Sequence, residues 1–142
     1  MRKTSLNKVY EHALKDERIV FIGSDLGAGT LDDFKRDIPE RFFMEGVSEA
    51  HIVGMATGMA MDGKIVFVNT IATFLTRRCF EQLVNDACLH NVNVRLIGNG
   101  GGLGFKNNSW TFERQVVFID ASGFNHTAFL GDVTIKHGKA TF

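Results

Sequence analysis

Two continuous apolar runs, Ile19-Val20-Phe21-Ile22 and Ile65-Val66-Phe67-Val68, constrain this chain more than any other feature. Runs of that kind need cover on both faces, which is the situation of strands in a buried parallel sheet. A helix-length stretch, 49–61, lies between them, and a longer one, to about residue 90, precedes a third strand candidate at 92–97. Parallel neighbours require such crossovers, because a tight turn cannot join them. Strand, helix, strand, helix, strand therefore predicts an α/β fold, a parallel sheet sandwiched as the middle of three layers. Ligands of such sheets bind beyond the carboxyl ends of the strands.

The local signals fill in the rest. Leu6, Val9, Ala13 and Leu14 share one face of a short helix ending near Lys15-Asp16. Gly23-Ser24-Asp25 closes the first strand and sets Ser24 and Asp25 at its ligand-facing end. Residues 26–39 read as a Gly/Asp-rich connection with a helical turn around 31–34, and 41–44 as a second short strand. Ser48 is placed to cap a helix starting near Glu49, whose Gly54 and Gly58 suit close packing, and Gly63 ends it. Thr70 or Thr73 is expected to cap a long helix running to about His90. Its inward residues are Phe74, Leu75, Cys79, Leu83, Ala87 and Leu89, with Arg77, Arg78, Glu81 and Asp86 outward. After Gly104 the rhythm changes, and short strands at 110–112, 115–120, 128–130 and 132–135, separated by Gly or Asn, read as β hairpins.

Composition removes several function classes. At 142 residues the chain suits one domain with a real core. Sixteen basic residues balance sixteen acidic ones, so no positive field draws nucleic acid or an anionic membrane surface. No apolar run reaches 18 residues, so neither a membrane span nor a signal peptide is expected, and the cytoplasm is the expected location. Cys79 and Cys88 lie nine apart without a metal-binding spacing and read as reduced, packed thiols. The five histidines form no HExxH pattern, so no metal site is expected from this chain alone.

Glu49 has two readings. A glutamate in a first helical turn can be an exposed residue favoured by the helix dipole. Here Gly46, Val47 and the Ala, Gly and Met residues that follow leave little bulk beside it, and a carboxyl group so placed holds its proton more readily and suits proton transfer. His51 could be a general base, but nothing supplies a nucleophile for it, and a packed, hydrogen-bonded histidine is the better reading. Phe74 is either plain core or, at a strand-to-helix turn among small residues, an aromatic face offered to a ligand. Gly98-Asn99-Gly100-Gly101-Gly102 could cradle phosphate, but no Lys-Ser/Thr follows it, and a tight loop between strands is the safer reading.

Three motifs in order give these residues a context. Gly46-Val47-Ser48-Glu49-Ala50-His51-Ile52-Val53-Gly54-Met55-Ala56-Thr57-Gly58-Met59-Ala60 is followed by Thr73-Phe74-Leu75-Thr76-Arg77-Arg78-Cys79-Phe80-Glu81-Gln82, and then by Asn93 to Gly98 with Gly100-Gly101-Gly102-Leu103. Together they resemble the pyrimidine-binding domain of the transketolase family, over roughly residues 5–104. The resemblance implies that Glu49 hydrogen-bonds N1′ of the aminopyrimidine of thiamine diphosphate. That contact favours the imino tautomer, whose 4′-nitrogen takes the proton from thiazolium C2 before a two-carbon unit is moved between sugars. It implies that Phe74 stacks on the aminopyrimidine and that Asp25 and Leu26 approach the cofactor across a dimer. Ile71 stands where many members carry a second aromatic, which makes that contact aliphatic.

Departures from the family are equally specific. Phe105-Lys106-Asn107-Asn108-Ser109-Trp110 replaces the segment with a glycine, a proline and a Thr-His pair, so the substrate-side histidine has no counterpart. Gly131-Asp132-Val133 lacks the third glycine of the diphosphate-and-magnesium motif. The expected organisation is thus a pyrimidine-binding domain at 1–104 and a divergent segment at 105–142, packed on the same domain or incomplete. Transferase chemistry is expected only with a partner subunit that binds the diphosphate and Mg2+, in a homo- or hetero-oligomer acting on a small sugar. The alternatives are a non-catalytic structural or regulatory paralogue of that domain, and an unrelated α/β module that binds a ligand at the loop 98–102.

Overall fold

The structure is a computed structural model that describes residues 2–24 and 29–99 and, beyond them, the backbone of six short strands. Helix α1 (Arg2–Ala13) leads into strand β1 (Ile19–Gly23); α2 (Asp32–Asp37) and a single 3-10 turn (Pro39–Arg41) lead into β2 (Phe42–Met44). Then come α3 (Glu49–Met61), β3 (Ile65–Ile71), α4 (Ala72–Arg77), α5 (Phe80–Gln82) with a π-helical continuation (Leu83–Cys88), and β4 (Val94–Asn99). The later strands are β5 (Gly104–Lys106), β6 (Ser109–Thr111), β7 (Val116–Asp120), β8 (Ala128–Leu130), β9 (Thr134–Ile135) and β10 (Ala140–Thr141).

One sheet runs in the order β2-β1-β3-β4-β7-β8. Its first four strands are parallel, as the apolar runs require, and the crossovers lay helices on both faces. Strand alternation divides the side chains between two cores. Val20, Ile22, Val66, Val68, Val94 and Leu96 face α3 and the π-helical segment, packing on Ile52, Val53, Ala56, Leu75, Cys79 and Ala87. Ile19, Phe21 and Ile97 face the other way, onto Leu6, Val9 and Ala13 of α1 and Phe34 of α2. This is the three-layer α/β sandwich expected from the sequence. It departs from a purely parallel sheet on one side, where β7 pairs antiparallel with β4 and β8 antiparallel with β7. Antiparallel pairs β5–β6 and β9–β10 accompany them; β7–β8 joins two strands read from the sequence, whereas β5 and β10 were not read there.

Caps differ from the sequence reading. Ser48 is the N-cap residue of α3, but its hydroxyl donates to the Glu45 carbonyl at 2.9 Å and makes no cap bond. The other end of α3 follows the expected stop. Gly63 sits at φ +87°, and its N–H and that of Lys64 reach back to the carbonyls of Ala60 and Met59 at 3.1 and 3.0 Å, closing the left-handed turn that favours glycine. Gly54 faces the π-helical segment, but Gly58 is exposed and a Cβ there would meet nothing within 4 Å, so the small face is only half used.

The single long helix to His90 is not formed. Cys79 adopts φ −126°, ψ 22°, which breaks the helical path between α4 and α5. Thr70 stays in β3 and Thr73 lies inside α4, so neither caps it. The break and the π-helical turns rotate the later residues, and Leu89, expected inside, is 77% exposed.

Candidate functional site

The topology brings the two leading candidates to one edge of the sheet. Helices α3 and α4 begin after β2 and β3, which run parallel, so both helix starts lie at the carboxyl ends of strands. Glu49 is the first residue of α3 and only 3% exposed, so it is not the solvated first-turn glutamate of the plainer reading. Phe74 is half-buried in α4. What fixes α4 against the sheet is Gly98 in β4. A Cβ there would come within 2.9 Å of Ala72 Cβ and 3.0 Å of Ala72 Cα, so the helix lies directly on the strand backbone.

Arg78, read from the sequence as an outward residue, joins the two. Its Nη1 donates to Glu49 Oε2 at 3.3 Å, and its Cζ sits 4.0 Å over the centroid of the Phe74 ring. The signal was available in the sequence, because residues four apart on a helix are surface neighbours, and Phe74 and Arg78 have that spacing. Ile71, at the end of β3, is 37% exposed and pairs with Asn99 in the sheet register. Asp25 and Leu26 lie outside the described residues. So do Gly100, Gly101 and Gly102 of the glycine loop.

A second group of polar residues stands at the same edge, and of these only Ser24 was placed there from sequence. The hydroxyls of Ser24 and Thr70 are hydrogen-bonded to each other across β1 and β3. Asn69 Nδ2 donates to the Ile97 carbonyl, and Asn99 Nδ2 to Asn69 Oδ1, each at 3.0 Å. Ser24, Asn69, Thr70 and Asn99 are all buried, and among the described residues Asn99 Oδ1 has no partner. Polar residues that end an apolar strand at its ligand-facing edge were the available signal, and Asn69-Thr70 after Ile65-Val66-Phe67-Val68 carries it.

His51, expected to be packed, is exposed on α3. Cys79 is buried and Cys88 half-buried, both free thiols. The Cys79 Sγ–H reaches the carbonyl of Leu75 at 3.2 Å. Burial, and after it the charge of Glu49, pushes this thiol up to about 11. Cys79 is therefore expected to react with a disulfide reagent at pH 8 far more slowly than Cys88, because the thiolate is the nucleophile. The folded state resists ionisation that the unfolded chain undergoes near pH 9, so this residue's contribution to stability is intact below pH 9 and falls as the pH climbs towards 11. Peptide mapping of the labelled thiols checks the first point; equal labelling of both would contradict the burial.

Among the described residues no three His, Cys, Asp or Glu side chains stand together as metal ligands. No described helix is long and apolar enough to cross a membrane. A cleft of about 610 Å³ lined by Val20, Arg41, Phe43, Met59, Asp62 and Lys64 lies far from Glu49. Met59 is ten residues along α3 from Glu49, or about 15 Å of helix. That cleft belongs to the opposite end of the sheet.

Over residues 1–111 the chain matches the family described as transketolase, pyrimidine binding domain. The chain belongs to this family. It is 34% identical over 104 residues to 6-deoxy-6-sulfo-D-fructose transketolase subunit SqwH of Clostridium sp. (strain MSTE9), covering 72% of this chain and 32% of that one. An apulose-4-phosphate transketolase subunit of Phocaeicola vulgatus is 35% identical over 105 residues, covering 73% of this chain and 34% of that one. A 1-deoxy-D-xylulose-5-phosphate synthase of Listeria monocytogenes is 42% identical over 89 residues, covering 62% of this chain and 14% of that one. A solved structure described as split gene transketolase, inactive beta4 tetramer, superposes with a TM-score of 0.62 at 34% identity, over 67% of this chain and 32% of that one. The chain thus spans about a third of the length of these transketolase subunits. Membership in the transketolase pyrimidine-binding family agrees with both the three-layer sheet and the order of the motifs.

Proposed function

We propose that this chain supplies the wall of a thiamine diphosphate site that faces the aminopyrimidine, and that it is catalytically silent by itself. The observation that carries this reading is the buried carboxylate of Glu49, set at a helix start beside an aromatic face. A carboxylate, a ring face and, at Asn99, a buried amide oxygen without a partner among the described residues suit a flat heterocycle that bears ring nitrogen and an exocyclic amine. Bound thiamine diphosphate supplies an acidic thiazolium C2–H and an electron sink for moving a two-carbon unit.

In this reading Glu49 holds a proton at the ring nitrogen N1′, the Phe74 face stacks on the ring, and Ile71 gives an aliphatic contact. Asp25 and Leu26 approach the cofactor across the junction between two chains. The diphosphate and Mg2+ fall to a partner subunit, and residues 105–142 form a divergent segment packed on the same domain, two of whose strands, β7 and β8, extend its sheet. The names of the two transketolase subunits among the relatives support an arrangement in which the site is completed by a second chain.

The active form of this reading is ketol transfer between sugars once that partner is present. Two observations favour the other form, a structural or regulatory paralogue. One is the solved relative's description as inactive; the other is that Glu49 is already engaged by Arg78. The test mixes the chain with a diphosphate-binding transketolase subunit. It follows assembly by gel filtration, cofactor binding by near-ultraviolet circular dichroism, and two-carbon transfer from a keto sugar. The chain alone should show no turnover. Turnover on mixing supports the enzymatic form, assembly without turnover or cofactor binding supports the paralogue, and failure of both assembly and binding overturns the proposal.

A further inference from the structure

We propose that Arg78 is a built-in occupant of the slot for the aminopyrimidine, holding the place between Glu49 and Phe74 that the ring must enter. This inference rests on the ring-wall reading above and concerns how that site is kept closed.

A ring that is to touch Glu49 must reach its carboxylate, yet Glu49 is 3% exposed in this chain. Something has to move, and among the described residues the one that is hydrogen-bonded to this carboxylate and reaches solvent is Arg78, whose side chain is 52% exposed against 3% for its partner. The guanidinium also makes the two contacts assigned to the ring. It is planar and lies 4.0 Å over Phe74, where a flat heterocycle would stack. It donates an N–H to Glu49 Oε2 at 3.3 Å, where a protonated ring nitrogen would donate. Both groups are planar, and each can set an N–H against a carboxylate while its face lies on an aromatic ring, so one group can stand in for the other.

The bond to Glu49 is long for a charge-assisted contact, and the cation–π contact is half in water, where such contacts are weak. Arg78 therefore closes the slot without locking it. It also keeps the buried carboxylate from being left as an unpaired charge while no ring is present. When a ring takes over both contacts, the long side chain can swing to solvent at little cost.

A conformer that excludes the ligand reduces apparent affinity by the fraction of molecules that remain open. Removing the occupant should therefore tighten binding of the ring. The probe is the free aminopyrimidine alcohol, 4-amino-5-hydroxymethyl-2-methylpyrimidine, titrated calorimetrically into the full chain assembled with a diphosphate-binding transketolase subunit, so that the ring site is complete. Arg78→Ala is expected to bind it about five- to thirtyfold more tightly than the unaltered chain, given the ordinary strength of such contacts. Arg78→Lys keeps a charge for Glu49 but loses the plane, so it guards against a folding defect in the alanine variant. It should tighten binding by a smaller factor, about two- to fivefold.

Glu49→Gln and Phe74→Ala should weaken binding in the same experiment. If Arg78→Ala and Arg78→Lys bind the probe equally or less tightly than the unaltered chain while Glu49→Gln still weakens it, Arg78 is a clamp and not an occupant. The proposal then falls and the ring-wall reading stands. If no folded variant binds the probe, both fall.

Discussion

Glu49→Ala, in the complex with a diphosphate-binding partner, is expected to slow exchange of the thiazolium C2 proton by a factor on the order of 10²–10⁴, the usual contribution of a positioned acid–base group. Global folding should survive. The carboxylate is buried, but its described partner, Arg78, is half-exposed and can turn its guanidinium into water, so no buried charge is left behind. The helix start itself is fixed by the backbone bond from the Ile52 N–H to the Ser48 carbonyl, which the substitution leaves alone. Exchange followed by proton NMR with rapid acid quench, beside a denaturant titration, separates the two effects. An unchanged exchange rate would remove Glu49 from proton transfer.

Gly98→Val is expected to cost about 2–3 kcal/mol of stability, the upper part of the range for overpacking a tight contact. The clash is with the Cα of Ala72 as well as its Cβ, so a side-chain rotation cannot relieve it. Relief requires α4 to lift from β4, and α4 carries Phe74 and leads to Arg78. The same substitution should therefore weaken ring binding even at temperatures where the chain is folded. Urea unfolding midpoints measure the first effect and calorimetry the second. A midpoint like that of the unaltered chain would show that α4 does not rest on the strand at this point.

The sheet was legible because its strands are buried on both faces, and continuous apolar runs of that length and composition suit few other settings. Helix α3 was legible to its end residues, since a first-turn acid and a stop glycine bracket a run of small apolar residues. The segment after β3 was misread for a physical reason. Its apolar spacing is compatible with one continuous helix, and only the backbone angles of Cys79 and the π-helical turns reveal that the face rotates. Leu89 followed from that error. Arg78 faces outward as expected, but its bond to Glu49 was not legible, because the sequence does not show that a buried carboxylate from another helix faces it. The buried Asn69–Asn99 contact joins residues 30 apart on neighbouring strands, which register alone brings together.

Whether the Glu49 carboxyl meets the ring nitrogen decides the proposed chemistry. Thiamine diphosphate labelled with nitrogen-15 at N1′, bound to the complex of this chain with a diphosphate-binding partner, reports that contact through its chemical shift. The unaltered chain should give a shift displaced towards a protonated or strongly hydrogen-bonded ring nitrogen, and Glu49→Gln should return it towards the value of the free cofactor. Identical shifts in the two complexes would contradict that contact and the function built on it.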